Sequence, residues 1–120
     1  MSTERPLAVE LLPDAHTDLT GIARTIALEQ PAAAHRFVFA FESVRDLLAT
    51  FPRAGREYPH RKLRARGMRG YTIPGFRNYV VVYVVKKGRI VIYGVLDGRQ
   101  NLPSALGNWV VHRGPEETGP

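Results

Sequence analysis

Residues 79–85 read Tyr-Val-Val-Val-Tyr-Val-Val and residues 89–96 read Arg-Ile-Val-Ile-Tyr-Gly-Val-Leu, with only Lys86-Lys87-Gly88 between them. β-Branched and aromatic side chains at this density favour extended backbone, and so short a connection serves only a hairpin. Strands this apolar on both sides must be covered on both faces, or must offer one face to a partner. Every fold open to the chain is built around this hairpin. Upstream, Arg69-Gly70-Tyr71-Thr72-Ile73 reads as a shorter strand, joined to the hairpin through Pro74-Gly75, a type II turn pair. Strands 69–73, 79–85 and 89–96 thus form a three-stranded antiparallel meander.

The first half has a different period. Leu19, Ile22, Ala23 and Ile26 recur at helical spacing and predict a helix over 15–29, with Asp14 as its N-cap. Gly21 inside it suggests that another element passes close. Gln30-Pro31 separates this helix from a second, over 32–50, whose apolar face carries Phe37, Val38, Phe41, Val44 and Leu48 and is broadened by Ala40, Leu47 and Phe51. Phe37, Phe41 and Phe51 are expected in the core, with Phe41 at its centre. So short a link predicts an antiparallel helical hairpin. Residues 7–12 read as one more strand of the same sheet. The expected class is α+β: an N-terminal strand and an antiparallel helical hairpin packed on an antiparallel β-meander. At 120 residues the chain is one domain, taken as 1–113, with 114–120 as a disordered tail and a short helix over 102–109.

Charge divides the chain at the same boundary. Residues 1–52 hold four Lys or Arg against seven Asp or Glu, whereas 53–113 hold thirteen against Glu57 and Asp97 alone. Residues 53–68 carry Arg53, Arg56, Arg61, Lys62, Arg64 and Arg66 with no apolar periodicity, and read as a basic loop with one helical turn near 60–65. Segregation of this kind favours an anionic partner, either nucleic acid or an acidic protein segment. No cysteine is present, which removes disulfides and thiolate chemistry. No apolar run has the length of a membrane span, and a soluble cytoplasmic protein is the expectation.

Phosphate-loop, dinucleotide and metalloprotease motifs are absent. The histidines, His16, His35, His60 and His112, share no metal-ligand spacing, and no metal or cofactor is expected. Carboxylate pairs are missing from the strand-rich half, which disfavours glycosidase chemistry. Candidates for function are therefore Arg69, Tyr71, Arg77, Tyr79, Tyr83, Tyr93 and Arg99, on or beside the meander. Arginine can hold an anion or stabilise developing charge. Tyrosine can stack or donate through its hydroxyl. For Tyr79, Tyr83 and Tyr93, filling the faces of the sheet is the better account.

Several motifs in this order carry a resemblance. Pro31 followed by Ala32-Ala33-Ala34, then Leu47-Leu48-Ala49-Thr50-Phe51-Pro52 with Gly55, Gly67-Met68-Arg69 with Tyr71, the strand holding Tyr79 and Tyr83, and Val95-Leu96-Asp97-Gly98-Arg99 together resemble the RelE/ParE superfamily of bacterial toxins over about residues 7–106. The likeness is greatest to the ParE branch. The resemblance implies the toxin of a type II toxin–antitoxin system, neutralised by a cognate antitoxin in a hetero-oligomer and inhibiting DNA gyrase by binding. The alternatives are RelE-like cleavage of mRNA on the ribosome and a degenerate toxin that only binds antitoxin. In a nuclease, Arg69, Tyr83, Arg99 and His112 are the catalytic candidates. Partner contacts are assigned to Arg61, Lys62, Arg64, Arg66, Arg69, Tyr71, Arg77, Tyr79, Asp97 and Arg99. Asp97 stands where most relatives have histidine. Held beside a cationic cluster, it should stay ionised and serve poorly as a proton donor.

Overall fold

A computed structural model describes residues 5–58 and 66–99. Expectations for 60–65, helix 102–109, the 114–120 tail, and for His60, Arg61, Lys62, Arg64 and His112 lie outside the described residues.

The helical hairpin forms as its periodicity demands. Helix α1 spans Pro13–Glu29 and α2 spans Pro31–Thr50. Gln30 alone joins them, C-capping α1 through its N–H to the Ile26 carbonyl while serving as N-cap of α2. Leu12, not Asp14, is the N-cap of α1. Pro13 extends the helix back into the first-turn position that tolerates proline, and leaves Asp14 within the first turn, where a carboxylate favours the helix dipole.

Among the described residues five strands make one mixed sheet: β1 (Ala8–Leu11), β2 (Arg56–Glu57), β3 (Met68–Ile73), β4 (Phe76–Lys86) and β5 (Arg89–Asp97), in the order β1-β5-β4-β3-β2. The meander β3-β4-β5 is antiparallel as expected, and β1 joins its far edge parallel to β5, from Ala8 opposite Arg89 to Leu11 opposite Ile92. Gly75 and Gly88 turn the chain at φ +83° and +75°, values that glycine alone adopts readily.

Strand β2 corrects the basic-loop reading. Arg56 pairs with Gly70 and Glu57 with Arg69, so part of the loop is the sheet's fifth strand. Its two residues are exposed and carry no apolar signal.

The register of β4 against β5 shifts between Val82, opposite Gly94, and Tyr83, opposite Ile92. Tyr93 is thereby extra, and this bulge resets the alternation of β5. Ile90, Ile92 and Val95 join Phe37, Phe41, Val44 and Leu48 of α2 in one core cluster, together with Ala15, Ile73, Val81 and Tyr83. Val91, Tyr93 and Leu96 join Leu12, Met68, Val82 and Val84 in a second cluster, against which Tyr58 packs. This second face is buried, so of the two alternatives the strands allow, a covered face or one offered to a partner, the structure takes the first. Asp18 of α1 accepts a hydrogen bond from the Val95 N–H at 3.0 Å, beyond the stretch of β5 that β1 covers.

Phe41 is buried as expected, and Phe37 is fully buried with its ring edge-on to Phe76 and Tyr79 at 5.2 and 5.6 Å. Phe51 departs from expectation at 63% exposed, because it is the C-cap of α2 and has left the core-facing side. Gly21 also departs: a Cβ built there meets nothing within 4 Å.

Candidate functional site

Two of the expected site residues meet at the point where α2 passes into β2. Tyr83 stands on β4 directly opposite Arg69 on β3. Its fully buried side chain reaches back over the 52–55 turn. The hydroxyl donates to the Pro52 carbonyl at 2.7 Å and accepts from the Gly55 N–H at 2.8 Å. Arg69 takes the other side of the same glycine. Its Nη1 donates to the Gly55 carbonyl at 2.7 Å and to the Arg53 carbonyl at 3.4 Å, and its Nη2 lies 3.5 Å from Glu57 Oε2. Both backbone groups of Gly55 are thus satisfied by side chains of the sheet. Burial pushes the Tyr83 phenol above its usual range, against opposing contributions from the Gly55 N–H and Arg69. Tyr83 therefore holds its proton at neutral pH, in a hydrogen bond to backbone.

At the far end of β4, Tyr79 stands opposite Asp97. Arg99 folds back on Asp97, with Nε 3.1 Å from Oδ1 and Nη2 3.0 Å from Oδ2, and its own N–H also donates to Oδ1 at 3.0 Å. Hydrogen bonding from the Arg99 side chain, more than any other cause, holds the Asp97 carboxyl below its usual range. The direction is the one the sequence predicts. An acid whose pKa falls on folding contributes stability above its unfolded value and loses that contribution as pH falls through the folded one. At neutral pH Asp97 is a carboxylate that accepts hydrogen bonds and has no proton to give.

The two clusters do not meet. Tyr79 and Tyr83 are four residues apart along β4, or about 13 Å at strand rise, and Arg69 and Arg99 are each bonded to their own partners, Arg69 to the 53–57 segment and Arg99 to Asp97. Tyr71 is half-buried against the helix-side core, Arg66 is half-buried, and Arg77 is exposed. Tyr93 is buried in the second cluster. Among the described residues no group of histidine, aspartate and glutamate has the arrangement of a metal site.

Sequence reasoning passed over the outer side of the helical hairpin. An open groove of about 1040 Å³ runs between α1 and α2, lined by Leu19, Ala23, Ala34, Val38 and Phe41 and edged by Arg24, Glu42 and Arg45. Phe39 stands beside it, 74% exposed. Val38, read from the sequence as part of the apolar face, is 43% exposed and turns toward this groove instead, because it follows Phe37 by one residue and so sits about 100° round the helix from it.

Tyr58 closes the 52–58 segment. Its N–H donates to the Met68 carbonyl at 3.3 Å, and its ring lies over Gly70, where a Cβ would come within 2.9 Å of the hydroxyl. Burial raises the phenol's pKa from 10.0 to about 12. The neutral form is the one the fold stabilises, so the contribution is complete below the unfolded pKa and is lost as pH rises through the folded one. Stability should fall by about 1.4 kcal/mol per pH unit between about pH 10 and 12. Chemical denaturation of wild type and Tyr58→Phe across this window checks it: the variant should lack that part of the decline, and parallel curves would refute it.

Comparison with known proteins agrees with this architecture. The family model for the ParE toxin of the type II toxin–antitoxin system, parDE, matches residues 9–102. A chain of the chromosomal ParDE TA system from P. aeruginosa superposes with a TM-score of 0.62 at 20% identity, over 74% of this chain and 92% of that one. No curated protein matches. Among the described residues no helix is long and apolar enough to cross a membrane.

Proposed function

The chain belongs to the ParE toxin family, and from that premise we propose that it is the toxin of a type II toxin–antitoxin pair that acts by contact, inhibiting DNA gyrase, and is silenced by a cognate antitoxin. The observation that carries this reading is the commitment of Arg69, Tyr83 and Arg99, the candidate catalytic groups among the described residues. Tyr83 and Arg69 bind the backbone of the 52–55 turn, and Arg99 is paired with a carboxylate. Cleavage of RNA requires a placed base and acid beside the phosphate-binding arginines. Here the group beside Arg99 is an anion that repels phosphate. The groove between α1 and α2, apolar at its floor with Arg24, Arg45 and Glu42 at its edges, suits an amphipathic helix with acidic residues set against the two arginines, and supports neutralisation by an antitoxin segment.

Induced expression in a bacterial host, scored for the DNA damage response and for translation, tests the reading together with assays on the purified protein. The expected outcome is growth arrest with DNA damage and inhibition of gyrase supercoiling. Purified protein should leave mRNA intact, with and without ribosomes. Cleavage of ribosome-bound mRNA that disappears in Arg99→Ala would replace this reading with the nuclease one.

A further inference from the structure

The residues that close on Gly55 do more than the connection from α2 to β2 requires. A surface turn is ordinarily satisfied by water. This one is held from beneath by a fully buried tyrosine on a central strand and by an arginine opposite it. Four hydrogen bonds, the two at Tyr83 and the two of Arg69 Nη1, converge on the backbone of Pro52, Arg53 and Gly55. Glu57, the one acid in this stretch, is drawn toward Arg69 at 3.5 Å. Arg53 and Arg56 are both exposed, and the Glu57 carboxylate beside them is shared with Arg69. The latch thus fixes the backbone from which two exposed arginines project, while the acid among them is held by an arginine of the sheet.

We propose that Tyr83 is a positioning residue that, through Gly55 and with Arg69, holds Arg53 and Arg56 as a preformed receiver for an acidic peptide segment of a protein partner. The proposal rests on the toxin reading only for the class of partner. An acidic peptide fits better than a nucleic-acid backbone, because among the described residues β2 is a sheet edge, along which an extended peptide can add backbone hydrogen bonds that a nucleic acid cannot. Preorganisation is the physical content. A mobile 52–57 segment would carry the same charge but would have to order its backbone on binding, which lowers affinity without changing the net charge.

Tyr83→Phe separates the two, since it keeps the ring in the core, alters no charge at neutral pH and removes both hydroxyl hydrogen bonds. Binding of a short polyglutamate peptide is measured as a function of salt for wild type, for Tyr83→Phe and for Arg53→Ala with Arg56→Ala. The double arginine variant is expected to weaken binding and flatten its salt dependence. Tyr83→Phe is expected to weaken it about fivefold, well below its melting temperature. Amide exchange, the second measurement, should quicken at residues 53–57 while β4 and β5 stay protected. Wild-type affinity in Tyr83→Phe, unchanged exchange at Gly55, indifference to the arginine pair, or no binding by wild type would each overturn the proposal. Tighter binding of a DNA duplex than of the peptide would overturn the choice of partner. Growth arrest by the wild-type chain is scored separately, so failure of the toxin reading leaves the outcome for the latch standing.

Discussion

Replacing Phe37 by Ala is expected to lower stability by about 3–5 kcal/mol, the range for deleting a large aromatic side chain from a packed core. The residue has no exposed surface, and its ring meets Phe76 and Tyr79 edge-on. Both contacts disappear along with the buried area, and each such aromatic pair adds about 0.5–1.5 kcal/mol beyond burial. The site cannot refill cheaply, since its neighbours belong to α2 and to β4, two elements held apart by the rest of the core. A domain of this size has about 5–15 kcal/mol in all, so the variant should be largely unfolded under mild denaturant. Phe41→Ala should fall in the same range, as that residue is also buried. Phe39→Ala and Phe51→Ala are the internal controls. They lie on or beside the same helix but are 74% and 63% exposed, and should move the denaturation midpoint by no more than about 0.5 kcal/mol. Equal effects at all four positions would mean that the helix is rotated from the orientation described.

The contrast among these phenylalanines shows what sequence periodicity can and cannot supply. Phe37, Phe41, Val44 and Leu48 repeat with the helical period, and that repeat placed them together correctly. Phe51 continues the repeat in sequence, but the helix ends at Thr50, and a residue at the C-cap no longer follows the helical face. The strands were legible for the opposite reason, being nearly continuous apolar runs. The same continuity hid the bulge at Tyr93, since a run without alternation does not show where alternation is reset. Strand β2 was illegible from its own residues. Arg56 and Glu57 form a strand because Gly70 and Arg69 lie beside them and because Tyr83, nearly thirty residues downstream, anchors the turn before them. That interaction is long-range and leaves no local pattern.

The candidate site divides along the same line. Arg69, Tyr83, Asp97 and Arg99 could be picked out by residue type and position. The low pKa of Asp97 followed from an arginine two residues away. What Arg69 and Tyr83 hold could not be read, because their partners are backbone carbonyls and one N–H, which every residue but proline possesses alike. Gly55 shows in the sequence only as a break in the basic run and as part of the family resemblance, with nothing to say what packs on it, and Asp18, bonded to the backbone of β5, has no signal at all.

Gly55 is where that hidden information is most exposed to test. Adding one methyl group there, Gly55→Ala, is expected to destabilise the protein by about 3 kcal/mol. The new Cβ would lie 2.6 Å from the Tyr83 hydroxyl oxygen, 2.7 Å from its Cε1 and 2.9 Å from the Gly70 carbonyl oxygen. The carbonyl belongs to the β3 backbone, and the ring is fully buried on β4, so neither can give way at little cost. Overpacking of this kind costs about 1–3 kcal/mol. Displacing the turn to relieve it would also break the hydrogen bonds of Tyr83, at about 1–3 kcal/mol for buried groups left unpaired. Gly55 has no positive φ, so the requirement for glycine is steric rather than conformational. The same substitution at Gly21 should act with the opposite sign. It lies within α1, nothing stands within 4 Å of the added Cβ, and replacing helical glycine with alanine gains about 1 kcal/mol. Thermal denaturation of the two variants beside wild type decides the matter. Gly55→Ala should melt roughly 10 °C lower, and Gly21→Ala a few degrees higher. A Gly55→Ala protein as stable as wild type, with the Gly55 amide still protected from exchange, would show that Tyr83 is not packed against this turn.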